Sequence, residues 1–464
     1  MTSAFPPNAG VSDRGLLSPA YLWATIGSFS LVFLVGFESL AVTTVMPVVS
    51  EQLNGASLYA LAFAGPLASG VLGMVIAGGW SDRNGPAGPL YASVAVFIAG
   101  LLICGLAGNM ELLVVGRLVQ GLGGGAITVA LYVVVARVYP PIMHPKIFAA
   151  FAAAWVVPSL VGPLAAGLVA EHIGWRWVFL GVVGLVLIAM IAVVPSLRSM
   201  DSSPAAEGKP FSFASLGWAG LAVVAVLGMN LLAEVPEVGT YLMAVSVVIT
   251  LVAVRPLLPK GTLRAVRGLP ATILIRSLAA GAFFGAEVYV PYMLMDHYGL
   301  SPSIAGLALT GGALAWSLAS AVQGRMGERL PHARAVGIGS CLATAAIALV
   351  LVTVVFQLPA LVAVGAWVLG GGGMGLVYPR LSVLTLAYST TGTQGFNSSA
   401  LAIADSLGAA LSLVAAGLVF TSFASIDSFA AVFAFTLVIS VVFLSLGHRV
   451  VPGHKGLPKV GAGT

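Results

Sequence analysis

Apolar residues run along this chain in long, nearly unbroken stretches, separated by short polar turns rather than alternating with polar residues. A helix needs roughly 20 apolar residues to cross a hydrocarbon core about 30 Å thick. Hydropathy divides the sequence into fourteen such segments: 21–47, 58–78, 88–108, 112–138, 147–170, 177–195, 213–232, 240–258, 270–295, 302–323, 335–356, 359–386, 396–421 and 427–447. The pattern predicts an all-α polytopic membrane protein. Most connections are a handful of residues. The longest, 196–212, is polar and rich in Pro and Ser, and reads as a mobile linker. The first 20 residues lack the short apolar core and cleavage site of a signal peptide, so the first helix is expected to remain in the mature chain.

Composition agrees: 59% of residues are hydrophobic and 8% charged, against about 25% charged in soluble chains. No soluble interior hides that much apolar surface. With the N-terminus placed in the cytoplasm, Arg83, Arg137, Lys146, Arg198, Lys209, Arg255, Arg325 and Arg449 all fall inside, Arg176 alone falls outside, and Arg117 and Arg276 lie within the membrane. That asymmetry predicts an even number of spans, both termini cytoplasmic, and residence in the cell (inner or plasma) membrane. The net charge of +5 is thus a topology signal and not a nucleic-acid footprint. Cys104 and Cys341 sit in apolar runs, and six histidines fall mostly in loops without ligand spacing. Neither a metal site nor a cofactor is expected.

An internal repeat underlies the segments. Residues 65–85 end a helix and enter a loop with Gly78-xxx-Asp82-Arg83 and Gly85; residues 311–331 do the same with Gly324-xxx-Glu328-Arg329. A later glycine cluster also recurs, Gly121 to Gly125 and Gly370 to Gly375. The expected organisation is a six-helix bundle (1–196), a linker with an inserted two-helix hairpin (197–268) and a second six-helix bundle (269–464). Such repeats place a substrate path between the halves.

Ionisable groups inside the membrane are costly, and so mark candidate sites. Glu38 and Arg117 differ in depth by only about 5 Å at 1.5 Å per residue, which makes an ion pair feasible. The guanidinium favours a charged Glu38 and burial a neutral one, so this carboxylate is placed to load and release a proton. The structural alternative is a pair that only fixes helix packing. Glu287 is a second candidate for a proton or cationic-substrate site, and Asp405 is a third candidate cavity carboxylate for proton coupling. Their alternatives are a snorkelling carboxylate and a hydrogen-bonded packing residue, and Arg276 is a possible partner of Asp405.

At the inner helix ends, Asp82 and Glu328, with Arg83 and Arg329, can engage a helix N-terminus or a neighbouring arginine and latch the inner side shut. The alternative is a solvated loop carrying topology charge. Pro158, Gly162, Pro163 and Gly167 kink one helix and permit close approach of another. The Gly121–Gly125 run suits close packing against the first helix. Gln120, Tyr132, Trp155, Tyr289, Tyr292, Trp316 and Tyr378 are candidates to line an aromatic, poorly selective pocket, although aromatics also face lipid.

Taken together, 78–85 (GGWSDRNG), 117–121 (RLVQG), 158–167 (PSLVGPLAAG) and Glu38 through Pro47 resemble motifs of the major facilitator superfamily and, within it, its fourteen-helix drug:proton antiporter branch. Two departures stand out: Glu38 where Asp is more usual, and Ala87 and Gly88 where basic residues normally close the loop motif. The resemblance implies a monomeric secondary transporter, not an enzyme. It would exchange protons for small lipophilic or cationic compounds across the bilayer by alternating access. Two alternatives stay open: a dedicated lipid or metabolite carrier of the same fold, and a non-transporting receptor or scaffold.

Overall fold

The computed structural model describes residues 15–55, 58–198, 213–232, 239–422 and 427–451, so 199–212 of the linker lie outside the described residues. It is all-helical over that range. The long helices are α1 (Leu22–Gln52), α2 (Tyr59–Asn84), α3 (Ala87–Gly105), α4 (Met110–Val138), α5 (His144–His172) and α6 (Arg176–Arg198). The shorter α7 (Phe213–Leu232) and α8 (Gly239–Val254) follow. Next come α9 (Leu269–Glu287), α10 (Tyr289–Tyr298), α11 (Pro302–Met326), α12 (His332–Val355), α13 (Ala360–Ala387), α14 (Gln394–Ser422) and α15 (Ser428–Leu446). Among the described residues, twelve spans are long and apolar enough to cross a membrane, α9 and α10 counting as one.

Local chemistry sets several of these ends. Asn109, Ser301 and Asp427 cap α4, α11 and α15 by accepting hydrogen bonds from the first-turn amides. The ninth segment, expected as one helix, is interrupted at Val288. Pro291 has no N–H to give the Glu287 carbonyl, which explains a break one turn before it.

The two halves share one internal plan. α4 lies between α2 and α3, and α13 between α11 and α12. The glycine clusters make this possible. A Cβ on Gly125 would sit 2.2 Å from the Gly70 carbonyl oxygen, and one on Gly371 would sit 2.0 Å from that of Gly312. On the other side of each helix, Gly123 abuts Phe97 and Gly373 abuts Gly339. The Gly121–Gly125 run therefore packs on α2 and α3, and not against α1 as expected. The reason is that α4 is central, and glycines on both of its sides admit neighbouring backbones.

The α7–α8 hairpin lies outside the halves. Ala219, Val223 and Val226 of α7 join an apolar cluster with Ala68, Val71 and Met74 of α2 and Ile403 and Leu407 of α14. The hairpin thus backs the seam where α2 meets α14.

Charge distinguishes the two ends of the bundle. One face carries Arg83, Arg137, Lys146, Arg255, Arg325 and Arg449; the other carries Glu51, Glu111, Glu171, Asp296 and Asp427. The halves meet toward the basic face, where Gly78 of α2 touches Gly395 of α14 and Gly324 of α11 touches Pro145 and Ala149 of α5. Val383 and Leu386 of α13 reach the core of the first half at the same end.

Candidate functional site

Glu38 lies midway along α1, buried, with its side chain 6% exposed. Arg117 of α4 donates through Nη1 to Glu38 Oε1 at 2.5 Å and to Gln120 Oε1 at 2.7 Å, and through Nε to the Ala62 carbonyl of α2 at 3.1 Å. One guanidinium therefore ties three helices of the first half together. Gln120, expected in a substrate pocket, instead belongs to this charge network.

A second pair lies in the other half. Arg276 of α9 donates through Nε to Asp405 Oδ1 of α14 at 2.8 Å, and its other amino group lies 3.5 Å from Oδ2. The Tyr378 hydroxyl of α13 donates to the same Oδ1 at 2.8 Å. The guanidinium stacks on the Tyr378 ring, 3.5 Å from its centroid, and donates to the Tyr378 carbonyl. Asp405 keeps 26% of its side chain exposed. Glu287, at the end of α9, is half-buried beside the Trp367 indole.

The third assembly crosses between halves. Asp82 is buried, and its carboxylate accepts from the amides of Gly395 (2.6 Å to Oδ1) and Phe396 (2.8 Å to Oδ2) in the first turn of α14. A carboxylate at a helix N-terminus satisfies amides that lack intrahelical partners and meets the positive end of the dipole. Close approach is required: a Cβ on Gly395 would stand 2.1 Å from the Gly78 carbonyl oxygen, so glycine is needed on both sides. Arg137 completes the clamp, donating to Gln394 Oε1 at 2.9 Å and to the Thr391 carbonyl at 3.0 Å. In the repeat copy Gly324 makes the cross-half contact, while the Glu328 side chain lies outside the described residues. Arg83 and Arg329 are exposed, and Gly85 adopts φ +77° just past α2.

The remaining candidates do not form one pocket. Trp316 and Tyr378 meet edge-on at 4.8 Å, close to Phe283 and Phe284. Tyr289 and Tyr292 instead pack on Phe420 toward the acidic face. Tyr132 packs on Phe148 and against Ile273 and Leu401 of the other half. Trp155 rests on Gly36. Pro158 and Pro163 lie within α5, where Gly162 touches Phe37 and Leu40 of α1 at ordinary distance and Gly167 has nothing within 4 Å. Neither glycine therefore admits a tightly packed neighbouring backbone; α5 meets α11 earlier, at Pro145 and Ala149.

Two residues escaped sequence reasoning. Gln394 gives no signal, because its role depends on Arg137 arriving from the other half. Arg380 is fully buried and caps the end of α11 by donating to the Gln323 and Gly327 carbonyls. Its acceptors are backbone carbonyls, which no side-chain pattern announces.

The sequence profile of the Major Facilitator Superfamily matches residues 28–292, more than half of the chain. The chain belongs to that superfamily. Among characterised relatives, it is 25% identical over 295 residues to the multidrug efflux pump SdrM of Staphylococcus aureus (strain N315), covering 62% of this chain and 65% of that protein. It is 24% identical over 400 residues to the multidrug transporter protein MdtP of Bacillus subtilis (strain 168), covering 81% and 70%. The match to the uncharacterized MFS-type transporter Rv1250 of Mycobacterium tuberculosis is 33% over 210 residues, but covers only 34% of that protein. The chain thus spans just under two thirds of SdrM and about a third of Rv1250. In fold it is similar to the human organic anion transporter MFSD10 (TM-score 0.70, 14% identity, 93% of this chain and 100% of that one). It is also similar to the proton:xylose symporter XylE (TM-score 0.67, 14% identity, 93% and 95%). The superfamily is one of transporters, so the chain is a membrane transporter and not an enzyme.

Proposed function

We propose that this transporter is a fourteen-helix drug:proton antiporter that exports small lipophilic or cationic compounds by alternating access. The observation that carries the reading is the buried Glu38–Arg117 pair, an ionisable pair held at mid-membrane, where charge is costly and marks function. Likeness to SdrM and MdtP supports the cargo class. In this reading the basic face is cytoplasmic and the chain works as a monomer in the cell membrane.

Each proton moving down a 100 mV potential releases about 2.3 kcal/mol. Glu38 would take up that proton from one side and release it to the other, with Arg117 and Gln120 holding the carboxylate in place. Asp82 on the α14 N-terminus, together with the Gly78–Gly395 and Gly324–Ala149 contacts, would hold the cytoplasmic side shut in the outward-open state. Export then requires those contacts to break once per cycle.

The test is substrate-induced proton movement. Inside-out vesicles carrying the protein, with an imposed pH gradient, should lose part of that gradient when ethidium is added, and vesicles carrying Glu38→Gln should not. No response to any lipophilic cation in wild type would refute polyspecific drug exchange and direct the search to a dedicated lipid or metabolite.

A further inference from the structure

The two intramembrane pairs differ in what their carboxylates have left to offer. Glu38 is sealed by Arg117 and its neighbours, whereas the Asp405 side chain is 26% exposed. Within Asp405 the oxygens are unequal. Oδ1 accepts from both Arg276 and the Tyr378 hydroxyl at 2.8 Å, while Oδ2 has a single 3.5 Å contact at the limit of hydrogen bonding. Oδ2 therefore retains acceptor capacity.

Arg276, for its part, does not depend wholly on Asp405. Its guanidinium is stacked on the Tyr378 ring and bonded to the Tyr378 carbonyl. A second cation at Asp405 would not leave Arg276 as an orphan buried charge, which is what usually makes such a pair resistant to exchange. Half-buried Trp316 and Phe284 flank Tyr378, side chains of the kind that bind an aromatic or quaternary cation.

We infer that Asp405 is the exchangeable counter-ion for a cationic substrate, bound at Oδ2 against the Trp316–Tyr378 rings, with Arg276 held in reserve by Tyr378. This rests on the export reading above and deepens it by dividing the labour: the sealed carboxylate handles the proton, the accessible one the cargo.

The test compares binding of tetraphenylphosphonium with that of neutral triphenylphosphine oxide to the purified full-length protein in nanodiscs. Wild type should prefer the cation. Asp405→Asn should weaken cation binding by about thirtyfold or more while leaving binding of the neutral probe within about threefold, about 0.65 kcal/mol. Arg276→Gln, which frees the carboxylate from its internal partner, should tighten cation binding severalfold. That increase is not expected of a pair that only holds helices together, and it also serves if Asp405→Asn fails to fold. Unchanged cation preference in Asp405→Asn overturns the inference. So does loss of that preference in Glu287→Gln but not Asp405→Asn, weakened cation binding in Arg276→Gln, or equal wild-type affinity for both probes. If wild type binds neither probe, the export reading itself falls.

Discussion

The Glu38–Arg117 and Arg276–Asp405 pairs are built from the same chemistry and differ in how they are enclosed. In the first, the guanidinium spends its donors on a carboxylate, an amide side chain and one carbonyl, and both charged partners are almost wholly buried. In the second, the guanidinium has an aromatic ring and a carbonyl to fall back on, and the carboxylate is partly open. The difference teaches that an intramembrane ion pair is not one kind of object. Its exchangeability depends on what each partner keeps when the other leaves.

Removing a partner is the most direct way to break this comparison. Glu38→Gln leaves Arg117 buried without an anion, and should cost about 3–5 kcal/mol of folding stability, read as a large drop in thermal midpoint of the purified protein. Proton-driven export should be lost altogether. Next in size is the latch. Asp82→Asn exchanges a carboxylate that accepts two amide hydrogen bonds for a neutral amide, at about 1.5–3 kcal/mol of the closed basic face. A Ser399→Cys reporter, buried beside Gly78, should then react with an impermeant maleimide about tenfold faster or more from that face. Labelling unchanged by Asp82→Asn would remove the latch role.

Asp405→Asn should cost less than Glu38→Gln, about 1–2 kcal/mol, because the carboxylate is partly exposed and Arg276 keeps Tyr378. An equal drop in thermal midpoint for the two variants would erase the distinction between the pairs. The smallest expected effect is that of Tyr378→Phe. It deletes one hydrogen bond to Asp405 but keeps the ring under Arg276, for about 1 kcal/mol. A loss as large as that of Asp405→Asn would mean that the hydroxyl, and not the ring, secures Arg276.

A second contrast concerns the two seams between halves. α2 and α14 are backed by the α7–α8 hairpin and clamped by Asp82 and Arg137, whereas α5 and α11 meet through Gly324, Pro145 and Ala149. The repeat visible in the sequence carries over to the helix plan of each half, but the ends of those helices have diverged. Arg380 capping α11 is a feature of one half only among the described hydrogen bonds.

Much of the architecture was present in the sequence itself. Hydropathy is a property of consecutive residues, so the apolar segments and their breaks could be read directly, as could the two glycine clusters and the charges stranded between them. The depths of Glu38 and Arg117 also follow from counting along single helices. What only the tertiary structure decided is which groups meet. Asp82 binds two backbone amides, which every non-proline residue possesses, and no side-chain pattern announces them. The glycines of α4 turn toward α2 and α3 because of where α4 sits in the bundle. The candidate aromatics scatter into separate groups because lipid, core and cavity all accept an apolar ring. Burial of a ring is favourable wherever water is excluded, whereas a charge needs a specific partner, and that partner comes from a different helix.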